Sequence, residues 1–160
     1  MTTQLTILNG PNLNLLGSRE PDLYGSTTLA EIETCCREFA ELLGVELLFH
    51  QSNYEEVLVE RILHARKSAD AIIINPAGYS FRSVAILDAL TMIGRPIIEL
   101  HITNIHARDE IYQNSIISGI ATAVICGIGP YGYIIAMQTA TRLVGKLPDI
   151  LPDPIRIGPK

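Results

Sequence analysis

The chain has no CxxC pair and no even set of cysteines; Cys35, Cys36 and Cys126 are its only three in 160 residues. That excludes a disulfide framework and the common zinc spacings, and it suits reduced thiols in a cytoplasmic protein. No basic run occurs. With 12 Lys and Arg against 17 Asp and Glu, the net charge is −5. A nucleic-acid surface needs clustered cations to neutralise phosphates, so nucleic acid is not an expected partner. No charged, apolar and small-residue succession of the secretory kind opens the sequence, so no signal peptide is expected. The longest apolar stretch, Ile116 to Ile128, is broken by Ser118, Gly119 and Gly127. It is shorter than the roughly 20 residues that a membrane span needs, so no membrane association is expected. What the chain has in quantity is apolar residues, 48%, with a mean hydropathy of +0.26. This suits a sheet covered on both faces.

The apolar runs fall into an alternating order. Leu5–Leu8, Val45–Phe49, Ala71–Ile74, Pro96–Leu100 and Ala121–Cys126 read as strands. Between them lie helical patterns. Thr28 and Glu31 form a capping box ahead of Leu29, Ile32, Cys36, Phe39 and Leu43, and Gly44 stops that helix. Asn53 with Glu56 predicts a second helix running to about Lys67. A third is expected over about Phe81–Met92, ended by Gly94, and a last one over about Tyr131–Val144 after Gly127-Ile128-Gly129-Pro130. Five strands alternating with helices predict an α/β fold, a doubly wound parallel sheet of flavodoxin-like order 2-1-3-4-5. Residues 1–146 read as a single domain. The segment from Leu147 to Lys160 holds four prolines and reads as an extended arm without a core of its own.

Such sheets bind ligands beyond the carboxyl ends of the strands, where strand order reverses. Here that point lies between the first and third strands. After the first strand comes a loop of roughly eighteen residues, a length that is more often functional than filler. It carries Asn9, Asn12, Asn14, Arg19, Asp22 and Tyr24 between glycines and prolines. After the third strand come Asn75 and a turn. The fourth ends with Glu99 and His101, which share one face of a regular strand.

These residue types suit proton transfer. His101 is a natural acid or base, and Glu99 can orient its ring. A free phenol titrates near pH 10, and cations from Arg19 and Arg108 beside Tyr24 would favour its anion, making a base of it. Asn12 is placed to hydrogen-bond an enolate oxygen. Together they describe proton abstraction beside a carbonyl followed by loss of a hydroxyl group. Each residue also has a plainer reading. A tyrosine in a Gly/Pro loop commonly packs, surface arginines are commonly solvated, and asparagines suit loop geometry. His50 and His64 read as structural. His106 with His101 and Glu99 has no zinc-signature spacing, so no metal is expected. Gly127-Ile128-Gly129 lacks the third glycine of a dinucleotide fingerprint, which argues against a nicotinamide cofactor.

LNGPNLNLLGSREPDLYGSTTL, QSNYE, IINPAGYS, ELHITNIHARDE and ICGIGPYGY together resemble the type II 3-dehydroquinate dehydratases over about residues 5–145. The resemblance implies a flavodoxin-like fold and a homododecamer built as four trimers. It implies conversion of 3-dehydroquinate to 3-dehydroshikimate and water, in the shikimate pathway or in quinate catabolism, with no metal, cofactor or Schiff base. It also implies roles. Tyr24 is the base, activated by Arg19 on a mobile lid with help from Arg108. Asn12 holds a water against the enolate, and His101, paired with Glu99, protonates the leaving hydroxyl. Asn75 and the Ile102-Thr103 backbone clamp the substrate, and Asp88 approaches the site of a neighbouring subunit.

Three departures from the family pattern stand out. Phe81, followed by Arg82, replaces a histidine; Tyr112 replaces an arginine; and Ala77-Gly78 replaces Gly-Ala. Two polar substrate contacts have thus become aromatic. A lost charged hydrogen bond to a buried ligand group costs about 2–5 kcal/mol, so weaker affinity is one expectation. A related dehydratase of a less hydroxylated cyclic keto acid is another. A non-catalytic assembly protein on the same scaffold is a third, against which the intact proton-transfer residues count.

Overall fold

A computed structural model describes residues 1–151. It contains one five-stranded sheet of order β2-β1-β3-β4-β5, with every neighbouring pair parallel. In chain order, β1 (Gln4–Asn9) is followed by a helical turn α1 (Pro21–Tyr24) and by α2 (Leu29–Leu43). Then come β2 (Glu46–Gln51), α3 (Glu55–Ser68), β3 (Ala71–Asn75), α4 (Val84–Thr91), β4 (Ile97–His101), β5 (Ala123–Cys126) and α5 (Tyr131–Leu143). The predicted flavodoxin-like order is the observed one.

The two faces of the sheet are set by the period-2 alternation of side chains. Leu5 and Ile7 of β1, Ala71 and Ile73 of β3, and Ile98 and Leu100 of β4 point to one face, where α2 and α5 cover them. Leu8, Ile72, Ile74 and Ile97 point to the other, under α3 and α4. The central strand β3 is buried throughout. That is why it reads as an uninterrupted isoleucine run rather than an alternating one. Each isoleucine fully removed from water stabilises the fold by about 1.5–3 kcal/mol.

Local signals act as expected at α2. The Thr28 hydroxyl accepts from the Glu31 amide at 3.2 Å, and the Glu31 carboxylate accepts from the Thr28 amide at 2.7 Å. Gly44 closes the helix at φ 67°, in the left-handed region where glycine meets no Cβ penalty.

Three expectations are corrected. Asn53 does not cap α3; Tyr54 holds that position without a side-chain cap. The Asn53 side-chain oxygen Oδ1 accepts instead from the Asn12 amide at 2.9 Å and from the Gln51 side chain at 3.0 Å. The third helix starts at Val84 rather than Phe81, because the Ser83 hydroxyl accepts from the Ile86 amide and sets the N-cap there. Residues Ala77–Phe81 form a separate 3-10 turn. The long loop after β1 is also less irregular than its composition suggests. It holds a 3-10 turn at Leu13–Leu15 and the helical turn α1, started by Pro21. Leu13 and Leu16 are buried and pin its first half, while the stretch from Ser18 to Ser26 is mostly exposed.

Leu147 and Leu151, at the start of the proline-rich segment, pack against the α2/α5 side of the core. The remainder of the expected arm, 152–160, lies outside the described residues.

Candidate active site

The carboxyl ends of β1, β3 and β4 open onto one crevice. Asn12, Arg19, Tyr24, Asn75, Ala77, Gly78, Phe81, His101, Ile102, Thr103, Arg108 and Tyr112 all line it. Their sequence positions span a hundred residues. The topology gathers them because the chain crosses from β2 over β1 to β3, which sets β3 beside β1 and brings their carboxyl ends together. Two expected participants lie elsewhere. Glu99 sits behind His101, fully buried, and Asp88 is exposed on α4.

Gly10 makes the crossing at the switch point possible. Its amide donates to the Asn75 carbonyl at 2.8 Å. A Cβ on Gly10 would stand 2.3 Å from the Pro76 carbonyl oxygen. No side chain fits there, so the loop leaving β1 can run against the turn leaving β3. Asn12, next along, adopts φ 66° and is tied to Asn53 through its amide. This fixes where the Asn12 side chain enters the crevice.

Tyr24 reaches the crevice from α1. Arg108 Nη1 donates to its hydroxyl at 3.1 Å. Arg19 approaches differently. Its guanidinium carbon lies 5.1 Å from the Tyr24 ring centroid, and its Nε pairs with Glu20 at 3.2 Å. Both guanidinium groups lie over the Tyr24 ring, that of Arg108 at 5.8 Å, but of the two only Arg108 is hydrogen-bonded to the oxygen. Arg108 is held in turn by Tyr112, whose ring centroid is 4.1 Å from the guanidinium carbon, a cation–π distance.

His101 and Glu99 share the sheet face of Ile97, two residues apart, as strand geometry requires. His101 Nε2 and Glu99 Oε1 are 2.7 Å apart. Burial works against the Glu99 charge, but hydrogen bonds from His101, Ser115 and Ser118 hold its carboxyl below the ordinary carboxylate range. An ionised carboxylate can only accept, so Nε2 is the donor in this pair. The Phe81 ring stacks on the imidazole at 6.2 Å and 24°, and Tyr112 meets Phe81 edge-on at 5.6 Å. Phe81 and Tyr112 are thus in contact, and they form an aromatic wall between Arg108 and His101. His106 stands exposed outside the crevice. Among the described residues no cluster of His, Cys, Asp and Glu could hold a metal ion.

Sequence reasoning missed Tyr133, Asn53 and Gln51 as supports of the site. Tyr133 is fully buried on α5. Its hydroxyl bonds Asn9 at 2.7 Å and Asn75 at 3.1 Å. Burial pushes its phenol far above the ordinary tyrosine value, so it keeps its proton at neutral pH. The available signal was a hydroxyl on an apolar helix face, which needs a buried polar partner.

Fold and crevice together define a flavodoxin-like α/β enzyme with a crevice at the switch point of the sheet lined by Tyr24, His101 and two arginines. The chain belongs to the class II dehydroquinase family, whose model matches residues 3–141. It is 48% identical over 134 residues to a 3-dehydroquinate dehydratase of Dinoroseobacter shibae, covering 84% of this chain and 89% of that protein. It is 50% identical over 142 residues to a catabolic 3-dehydroquinase of Verticillium alfalfae, covering 89% and 95%. Among solved structures, the type II dehydroquinase of Propionibacterium acnes superposes with a TM-score of 0.83 at 37% identity, covering 91% and 98%.

Proposed function

We propose that this chain is a hydro-lyase that converts 3-dehydroquinate to 3-dehydroshikimate and water by anti elimination through an enolate. The Tyr24 phenolate, paired with Arg108 and flanked by Arg19, takes the C2 proton. The C–H electron pair moves toward the C3 carbonyl, and the oxygen charge that develops meets a water held by Asn12. The enolate then collapses to form the C1–C2 double bond. The C1 hydroxyl leaves as water with a proton from the imidazolium of His101, which Glu99 orients and stabilises. Asn75, with the Ile102-Thr103 backbone, holds the substrate. The steps use side chains, backbone and one bound water, and pass through no imine.

The observation that carries this reading is the meeting of two pairs in one crevice. A phenol hydroxyl lies 3.1 Å from a guanidinium, and an imidazole lies 2.7 Å from a buried carboxylate. Each pair sets a hydrogen-bonding partner of complementary type against a group that one proton transfer uses. Growth of the conjugated enone absorbance on adding 3-dehydroquinate tests it. Turnover should vanish in Tyr24→Phe and survive borohydride added with substrate. Inactivation by borohydride would sink the enolate route in favour of an imine.

A second reading is favoured by Phe81 and Tyr112. An aromatic wall suits a cyclic keto acid with fewer hydroxyls than dehydroquinate. A dehydroquinate KM equal to that of relatives retaining His and Arg at these positions would remove its motive. The assembly we propose is a homododecamer of four trimers in the cytoplasm. Residues 1–146 form its catalytic domain, and the exposed Asp88 approaches a neighbouring subunit's crevice. Among the described residues no helix is long and apolar enough to cross a membrane.

A further inference from the structure

The ends of β1 and β3 are joined to α5 by a run of four hydrogen bonds. Asn9 Nδ2 donates to the His50 carbonyl at 3.0 Å. The Tyr133 hydroxyl donates to Asn9 Oδ1 at 2.7 Å. Asn75 Nδ2 donates to the Tyr133 oxygen at 3.1 Å, and the Ala77 amide donates to Asn75 Oδ1 at 3.3 Å. Asn9, Tyr133 and Asn75 are 0%, 0% and 3% exposed, so bulk water cannot substitute for a missing partner.

An asparagine amide can turn over and exchange its oxygen for its nitrogen, and a hydroxyl can rotate. Here neither is free to do so, because both ends of the run are backbone groups with one role each. The His50 carbonyl only accepts, so Asn9 must present its nitrogen there and its oxygen to Tyr133. The hydroxyl has one hydrogen and must give it to that oxygen. Its own oxygen can then only accept from Asn75, which must present Nδ2. From the other end, the Ala77 N–H only donates and requires the Asn75 oxygen. Both ends impose the same orientation on Asn75. The Ala77 link is the longer and weaker of its two bonds, so Tyr133 is the stronger constraint.

Asn75 Nδ2 has two hydrogens, of which Tyr133 receives one. Asn75 also lines the crevice. We propose that Tyr133 is a positioning residue that fixes Asn75 as a hydrogen-bond donor to the crevice. The ligand group received at Asn75 is then an acceptor, such as a carboxylate or carbonyl oxygen. This deepens the reading of Asn75 as part of the substrate clamp and rests on it for the identity of the ligand. Tyr133 never touches that ligand; it acts through the amide.

The test compares Tyr133→Phe, Asn75→Ala and the double variant in the full-length protein, with kcat and KM for 3-dehydroquinate measured separately. Tyr133→Phe keeps the ring and removes one hydroxyl. Its expected effect is a rise in KM of about tenfold that exceeds any fall in kcat, because an unfixed amide weakens ground-state binding. On the Asn75→Ala background the same change should move KM by less than about twofold, since the residue it acts through is gone. Equal effects on both backgrounds, or a Tyr133→Phe KM equal to wild type, would overturn the proposal. Neutron diffraction of the deuterated wild-type protein needs no variant. Two deuterons are expected on the Asn75 atom facing Tyr133, and a bare oxygen there would also overturn it. That readout stands apart from turnover, so absence of dehydratase activity would sink the proposed function while leaving the orientation of Asn75 to be decided by diffraction.

Discussion

Arg108 donates to the hydroxyl of Tyr24 at 3.1 Å, although 84 positions separate the two in the chain. Its guanidinium also lies 4.1 Å from the Tyr112 ring centroid. The cation that pairs with the proposed base is therefore held by an aromatic ring of the crevice wall. Removing the phenol in Tyr24→Phe should lower kcat by about 10²–10⁴-fold, the range for loss of a general base. Arg108→Ala should fall mainly on kcat as well, and Arg19→Ala less so. Following enone absorbance in the three variants checks the order. A larger kcat loss in Arg19→Ala than in Arg108→Ala would reverse the roles.

The pair Phe81 and Tyr112 allows a gain-of-affinity test. Phe81→His with Tyr112→Arg restores two polar groups facing the crevice. If 3-dehydroquinate is the natural substrate and the aromatic wall weakens its binding, the double variant should lower KM by about thirtyfold or more. That is the lower part of the effect expected of a charged hydrogen bond worth about 2–5 kcal/mol. A KM that rises instead would mean that the wall is matched to a less hydroxylated ligand.

Glu99 gives the fold a pH dependence. Its carboxyl is buried, which works against its charge, but hydrogen bonds from His101, Ser115 and Ser118 outweigh desolvation and hold it below the ordinary carboxylate range. A depressed folded-state pKa contributes stability that is fully present above the unfolded value and lost as pH falls through the folded one. Wild-type thermal stability should therefore decline below about pH 4.5 more steeply than that of Glu99→Gln. Melting curves taken down through this range check the sign. The same variant should also lose kcat at neutral pH, because an uncharged amide no longer stabilises the imidazolium of His101.

Gly10 should tolerate no side chain. In Gly10→Ala the new Cβ would meet the Pro76 carbonyl at 2.3 Å, and backbone cannot give way as a flexible side chain can. A loss of roughly 1–3 kcal/mol is expected, the range for forcing extra atoms into a packed site. Chemical denaturation of the variant would measure it. Unchanged stability would mean that the turns leaving β1 and β3 can separate freely.

Much of this molecule could be read from the order of its residues. Strand alternation, the uninterrupted isoleucines of β3, the Thr28–Glu31 box and the stop at Gly44 are local signals, and each acts within a few residues. They were enough for the sheet order and for the expectation that Asn12, Tyr24, Asn75 and His101 converge. The Glu99–His101 pair was legible for the same reason, since a period of two puts both on one face. What only the tertiary structure decided depends on contacts between distant segments. Asn53 resembles a helix cap by its neighbours, yet its oxygen is taken by Asn12, 41 positions away. Arg108 rather than Arg19 reaches the phenol oxygen, and Tyr133 sets the orientation of Asn75 from a helix 58 positions further on. A hydrogen bond goes to whichever partner packing brings within about 3 Å, and sequence spacing carries no record of that distance once the chain has folded back on itself.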